Sequence, residues 1–330
     1  MDASMYNPTP LNLAPSLDAI SSARLSSYNK FFSPVSQEEL YGLYCWNEVL
    51  SANFMRLTGI VEVALRNRFH LTLSQYAMAN HKSRIIGTAD SNNWYEVIRL
   101  SGKSEEKVRN ITHDSYWDKT MRRKIYTPKP YPVSPNSVIA SMTFGFWAPL
   151  LDLTLNLQTI IPTIFPNHKY ASNAAHWSNQ QNVGTVYARL ESVRSLRNRV
   201  AHFEPLWKLP DISEEKKVAK GRPVKVEYPA PTNEIEVLAR LNMLYLRVTQ
   251  VLHWLSSDRA KDHSQTEFHQ KTLFLMTQEG LDSFRRGYLH EEVRLSSMTK
   301  SWGMKMVMSG RKPIQLLHKQ KVIGNFYPAP

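Results

Sequence analysis

Only one cysteine, Cys45, occurs in this chain of 330 residues, so no internal disulfide can form and no cysteine-based zinc cluster can assemble. Its YCWN setting reads as buried packing, and the sparing use of thiols suits a reducing cytoplasm. Glycine is scarce as well, with twelve residues and no glycine-rich phosphate loop or nucleophile elbow among them. The eleven histidines are scattered, without an HExxH pattern or paired spacing, so neither a metal site nor a cofactor is expected. Long apolar runs are missing too. The most apolar region, residues 143–165, is interrupted by Pro149, Asp152, Asn156, Gln158 and Pro162, which argues against a membrane span. No basic stretch followed by an apolar core opens the chain, so no secretory signal is expected. Internal repeats are absent.

What the chain does contain is apolar substance and positive charge. Hydrophobic residues make up 42% and aromatics 11%, enough to exclude wholesale disorder and to build a large core. Lys and Arg total 41 against 28 Asp and Glu, a formal charge of +13. A balance of that kind speaks about partners, and a polyanion such as RNA is the natural one.

The stretch with the most specific chemistry is ESVRSLRNRVAHFEPLW, residues 191–207. Val193, Leu196, Val200 and Phe203 fall at i, i+3, i+7 and i+10, the apolar stripe of a helix facing a core. Glu191, Ser195, Asn198 and His202 align on the opposite side, flanked by Arg194, Arg197 and Arg199. Pro205 restricts Glu204, so the helix should end between His202 and Glu204, placing the imidazole where the chain leaves the helix.

The order Arg197, Asn198, three residues, His202 resembles the RNxxxH signature of the HEPN superfamily, helical domains that are often metal-independent ribonucleases. The wider LRNRVAHFEP resembles Abi-like abortive-infection proteins of the AbiD/AbiF type, in which a second histidine commonly occupies the position of Phe203. Two upstream stretches fit the same family, Leu40 to His70 and Val138 to Leu151. The resemblance spans roughly Leu40 to Trp254 and implies an RNA endonuclease or RNA-triggered toxin of a bacterial anti-phage system, working in the cytoplasm on RNA and away from membranes.

The chemistry fits those residue types. RNA carries its own nucleophile, the ribose 2′-hydroxyl, so cleavage needs a proton acceptor, a proton donor and a group that stabilises a phosphorane's extra negative charge. Histidine, with an unperturbed pKa of about 6.5, supplies both protonation states near neutral pH. Arg197 offers a permanently charged planar fork for phosphate oxygens, and Asn198 could orient the imidazole or hold a phosphate oxygen. Five positions along a helix rotate by about 140°, so Arg197 and His202 of one chain diverge. A homodimer whose two-fold axis brings Arg197 of one copy to His202 of the other is expected, as in HEPN relatives. A purely structural reading pairs Arg197 with Glu191 or Glu204 and leaves His202 capping the helix. The functional alternative is a non-catalytic RNA-binding protein, for example one holding a small non-coding RNA, with a relic motif.

The fold class expected is all-α, a HEPN-like helical bundle with extended helices and a small basic hairpin or loop insertion. Residues 1–36, with Pro8, Pro10, Pro15 and Pro34, read as a flexible N-terminal segment holding one short amphipathic piece near Leu17 to Phe32. Residues 37–260 read as the core. Ser36 and Glu39 have capping-box spacing, no proline occurs from Val35 to Thr127, and helical periodicity predicts one long or kinked helix to about Ala79, with Gly59 its weak point. Glu62, Arg66 and His70 line one edge of it, and Arg66 is a candidate for positioning RNA. An insertion and connector span 81–135, with a helix at 104–109 and a lid or RNA-facing role. Asn136 is expected to cap a buried helix containing Phe144, Phe146 and Trp147. The loop 209–231 presents Lys216, Lys217, Lys220 and Arg222 as phosphate contacts, with Arg194 and Arg199 beside them on the central helix. A strong core helix should start near Thr232, and 266–286 reads as helical. Residues 261–330 form a basic accessory region, whose last part, Arg294 to Pro330, has seven basic residues and no acidic one.

Overall fold

The computed structural model describes residues 12–100, 102–153, 155–216, 225–285, 314–318 and 321–326. The expected mostly helical fold is the one observed, with three separate two-stranded antiparallel sheets attached.

Two short helices come first, α1 (Leu13–Ile20) and α2 (Ser22–Phe32). The sequence reading makes this segment flexible; the structure packs it. Tyr28, Phe31 and Phe32, at i, i+3 and i+4, form one aromatic face. Their ring centroids lie 5.2, 4.8 and 5.2 Å from that of Trp207, and burying such rings stabilises α2 against the core in a way its local sequence could not.

The axis of the fold is α3 (Gln37–His81), 45 residues long and therefore about 68 Å from end to end at 1.5 Å per residue. Ser36 Oγ accepts the Glu39 N–H at 3.2 Å, and the Glu39 carboxylate accepts the Val35 N–H at 2.6 Å, a capping pair displaced by one residue from the usual box. The helix runs unbroken through Gly59, where a Cβ would meet nothing within 4 Å. Leu43, Leu50, Phe54, Leu57, Val61, Leu65, Phe69 and Leu73 form its buried stripe, and that continuous stripe carries the helix past its one glycine.

The insertion contains α4 (Trp94–Val97), α5 (Gly102–Thr112) and the hairpin β1 (His113–Asp118) with β2 (Arg123–Pro128). Periodicity gives α5 but not the hairpin. Next, Ser134 rather than Asn136 is the N-cap of α6 (Pro135–Ala140), accepting the Ser137 N–H at 3.2 Å, with Pro135 in the first turn. The single buried helix expected here does not form. Thr143 is extended, and Phe144–Phe146 and Ala148–Asp152 make 3₁₀ turns. Phe144, Phe146 and Trp147 are buried nonetheless. At Gly145 a Cβ would stand 3.1 Å from Cδ of Arg194, so the missing side chain makes room for that arginine.

α7 (Leu157–Ile164) and α8 (Ala174–Ser178) lead to α9 (Gln180–Ala201), which packs on α3. The basic hairpin follows as β3 (Ile212–Ser213) and β4 (Val226–Tyr228). The core helix α10 (Glu234–Leu255) starts after Asn233, whose Oδ1 accepts the Glu236 N–H at 3.0 Å. α11 (Ser257–Ser264), α12 (Glu267–Leu275) and α13 (Gln278–Arg285) close the helical part, α12 and α13 against α3. Within the basic C-terminal region, β5 (Ile314–His318) pairs with β6 (Lys321–Phe326); the rest of residues 286–330 lies outside the described residues. No helix among the described residues is long and apolar enough to cross a membrane.

Three buried histidines shape the acid stability of this core. His168 is packed between Trp177 and Trp254, and His263 shares the buried Tyr245 hydroxyl with His269, each at 2.8 Å. The Nδ1 of His263 is buried without a partner. Leaving Nδ1 as a bare lone pair costs less than leaving it as an unpaired N–H, which sets the order: His263 Nε2–H donates to Tyr245, and the Tyr245 hydroxyl donates to His269. Burial, then the neighbouring His176, Lys169 and Arg189, bring His168 down to about 4; burial, then His269, Arg56 and Arg259, bring His263 to about 4. Burial also lowers His70. Because the folded pKa lies below the unfolded value, stability is complete above pH ~6.5 and falls as pH drops from ~6.5 toward ~4. The loss should be on the order of 2–3 kcal/mol for each of the two. Thermal unfolding followed by circular dichroism from pH 8 to 4.5 should show the midpoint falling below pH 6.5, with a shallower fall in His168→Gln. A flat midpoint across that range would contradict the assignment.

Candidate functional site

The C-terminal end of α9 is where the sequence-derived residues gather. The last helical residue is Ala201, and His202 is the C-cap. The helix closes by a full Schellman arrangement, with the Phe203 N–H on the Val200 carbonyl at 3.1 Å and the Glu204 N–H on the Arg199 carbonyl at 2.9 Å. The residue at the left-handed position is Phe203, with φ of 54°, where glycine is the usual occupant. Its ring is 71% exposed. The apolar contact that normally accompanies this motif is replaced by charge: Arg199 pairs with Glu204 at 3.3 Å and donates to the Pro205 carbonyl at 3.1 Å.

Beyond the turn the chain is held firmly. The Leu206 N–H donates to Asn47 Oδ1 of α3 at 2.7 Å, and Trp207 enters the α2 aromatic cage described above. His202 is thus an exposed side chain on a backbone fixed from both sides.

Arg197 turns toward α3, where its Nε lies 3.2 Å from the Glu62 carboxylate. The pair is half-sheltered, with side chains 30% and 17% exposed. Contact through Nε leaves the edge formed by the two Nη nitrogens as the face that a second anion would meet. Glu62 is the functional neighbour that sequence reasoning missed as a partner; it is visible as part of the Glu62, Arg66, His70 edge, but its pairing is tertiary. Arg194 pairs with Glu191 through Nε and Nη2, at 2.6 to 3.0 Å. All three flanking arginines therefore sit in ion pairs, and the partner of Arg197 is neither Glu191 nor Glu204.

The upstream LRNRFH stretch is structural at its histidine. His70 is buried, accepts the Trp94 indole N–H on Nδ1 at 2.9 Å, and meets Ser91 Oγ with Nε2 at 3.0 Å. Since Nδ1 accepts, Nε2 carries the proton and donates. Both nitrogens are committed, so His70 is not an available proton shuttle. Arg66 reaches the Ala140 carbonyl at the end of α6, at 3.4 Å.

Asn198 faces a cavity of about 590 Å³ between α9, the 209–216 segment and α10. Its lining includes Glu191, Glu204, Asp211, Glu214 and Glu215 against Arg199, Lys216 and Arg247, so its lining carries five carboxylates against three cations and disfavours a phosphate. Glu215 is also held by Arg189 at 2.5 and 2.7 Å and by Arg247 at 3.4 Å. Arg197 and His202 do not line this cavity. Lys216 pairs with Glu214 at 2.6 Å; Lys217, Lys220 and Arg222 lie outside the described residues.

Comparison with known proteins gives one match: the family model described as Abi-like protein covers residues 17–208, more than half of the chain. No curated protein and no solved structure matches. The matched region begins in α1, so it includes the aromatic clamp, and it ends one residue past Trp207, before β3.

The strain at Phe203 yields a test. Phe203→Gly removes a left-handed penalty of about 1–2 kcal/mol and little packing, against a glycine entropy cost of about 0.5–1 kcal/mol. The variant should be more stable by about 0.5–1 kcal/mol in chemical unfolding. A destabilised variant would mean that the exposed ring makes a contact worth more than the strain.

Proposed function

This chain belongs to the Abi-like protein family, and from that premise we propose that it is a metal-independent RNA endonuclease, or RNA-triggered toxin, of a bacterial abortive-infection system, with a HEPN-type site at the end of α9. The observation that carries the reading is the presentation of His202: an exposed imidazole on a backbone fixed by the Schellman turn, with Arg197 of the same helix α9 oriented by Glu62 of α3.

In the proposed reaction the imidazole of His202 removes the proton from a ribose 2′-hydroxyl. The freed oxygen attacks the adjacent phosphorus, and the bond to the 5′-oxygen breaks. A protonated histidine returns a proton to that leaving oxygen, giving a 2′,3′-cyclic phosphate and a free 5′-hydroxyl. Arg197 balances the charge that builds on the non-bridging oxygens. Asn198 orients the ring or an oxygen. Arg66 and Arg194 hold the strand by its phosphates, whereas Arg199 and Lys216 line the carboxylate-rich cavity and are less suited to that role.

Arg197 faces α3 while His202 lies at the open helix end, which fits the divergence expected from helical geometry and favours a site shared by two copies of the chain. A second reading, a non-catalytic RNA-binding protein, draws support from the ion pairs that already occupy Arg194, Arg197 and Arg199.

Two experiments separate these readings. Cleavage should persist in a chelator and leave 2′,3′-cyclic or 3′-phosphate ends, because no metal-bound water takes part; complete inhibition by EDTA with rescue by magnesium would sink the mechanism. Mixing Arg197→Ala with His202→Ala chains, each inactive alone, should restore part of the activity in verified mixed dimers, since one shared site then keeps both groups. Binding that survives His202→Ala in a protein with no cleavage at all would support the second reading.

A further inference from the structure

The β1–β2 hairpin gathers exposed aromatic and basic side chains, and the α9 site does not use it. Asp118 Oδ1 accepts the backbone N–H of Thr120 at 2.8 Å and of Met121 at 2.9 Å, and Arg122 takes the left-handed conformation, φ 49°, that returns the chain into β2. The carboxylate nearest the tip is thereby engaged in building the turn. On the strands, Trp117 is 63% and Tyr116 57% exposed. Trp117 stands directly opposite Lys124, and Tyr126 lies two residues further along the same face.

At the base of that face is a hollow of about 380 Å³, lined by Arg109, His113, Arg123, Lys124, Ile125 and Tyr126 with no carboxylate in its lining. The Tyr126 ring is flanked by Lys124 Nζ at 5.0 Å and by the Arg109 guanidinium at 5.8 Å. Asn110 Oδ1 accepts from both Lys124 Nζ, at 3.0 Å, and the Tyr126 hydroxyl, at 3.3 Å, so the hollow is tied to α5. Arg109 also pairs with Glu105, but both side chains are about half exposed, and such a pair exchanges readily for another anion.

Two chemistries are thus set side by side: flat apolar rings open to solvent, and a cationic hollow one step away. A duplex would offer the second only, because its bases are stacked inside; a single strand offers phosphate and base together. We propose that the α5 and β1–β2 unit is a single-stranded RNA-binding element, with the hollow taking a backbone phosphate and Trp117 stacking on an unpaired base. Its position supports the same partner, for Lys107 of α5 lies close enough to Arg194 of α9 for their charges to repel, so one strand could meet both surfaces. The inference rests on RNA being the partner of the α9 site, yet not on cleavage.

The test uses the full chain and a fluorescein-labelled 12-mer of 2′-O-methyl uridine, which cannot be cut by 2′-hydroxyl attack, beside a 12-base-pair RNA duplex. Trp117→Ala should weaken single-strand binding tenfold or more and duplex binding less than threefold, with Trp117→Phe restoring most of it. Arg123→Ala with Lys124→Ala should weaken single-strand binding and lower the slope of log K against log salt by about 1.4. These side chains are exposed, so an unchanged thermal midpoint certifies the fold of each variant. If the unmodified chain binds RNA while Trp117→Ala binds it equally well, or loses single strand and duplex alike, the inference is overturned and the α9 reading stands. If instead these variants change only the oligomeric state in light scattering, the hairpin is a protein contact and the inference is likewise overturned. No binding of either RNA by the unmodified chain would remove the partner on which both depend.

Discussion

Burial of one face of α3 is the constraint on which the rest of the structure depends. A helix of 45 residues gains little from propensity alone in water, and its stability must come from covering its apolar stripe. α7, α9, α10, α12 and α13 are the cover. The same helix then serves as a ruler for the candidate site. Asn47 fixes Leu206 beyond the α9 turn, Glu62 orients Arg197, and Arg66 reaches the end of α6. Asn47 and Glu62 are fifteen positions apart on α3, about 22 Å of rigid rod, so the two ends of the site are held apart by a distance that no loop movement changes.

Charge is distributed unevenly around α9. The cavity on the Asn198 side carries five carboxylates against three cations, while Arg197 turns to α3 and pairs with Glu62. Each α9 arginine has a carboxylate partner, which orders the guanidiniums before any ligand arrives. Half-exposed pairs of this kind contribute little net stability, so a phosphate can replace a carboxylate at modest cost. The partner that stays costs more to displace when it is sheltered, and Glu62 is the most sheltered of the three.

How much of this could be read from the sequence followed the range of the forces involved. Local signals were legible: the Ser36 and Glu39 cap, the long helical periodicity of α3, the stop imposed by Pro205, and the start of α10 to within a residue or two of Thr232. Elements held by tertiary contact were not. Residues 144–152 have the composition of a buried helix but form 3₁₀ turns, and Gly145 lies against Arg194 of α9, a neighbour that local sequence does not reveal. The prolines near the N-terminus suggested flexibility, whereas Tyr28, Phe31 and Phe32 find Trp207. The β1–β2 hairpin has no Asn-Gly or Asp-Gly signal; its turn is made by a four-residue loop with Asp118 as the local acceptor. At the site, residue types and spacing were legible, while the Arg197–Glu62 pair and the buried, doubly bonded His70 required three dimensions.

Phe203 shows what the site demands of its backbone. A left-handed phenylalanine persists only where its surroundings over-determine it, and here they do so within a few residues: α9 ends at Ala201, Pro205 restricts Glu204, the Leu206 N–H is bound to Asn47, and Trp207 is enclosed by three rings. With both ends pinned, the chain has to reverse between His202 and Glu204, and the residue in the middle must adopt positive φ whatever its identity. The strain therefore sits one residue from the imidazole. It follows from the two anchors, and those same anchors are what keep His202 projecting into solvent at the end of a helix instead of folding back onto it.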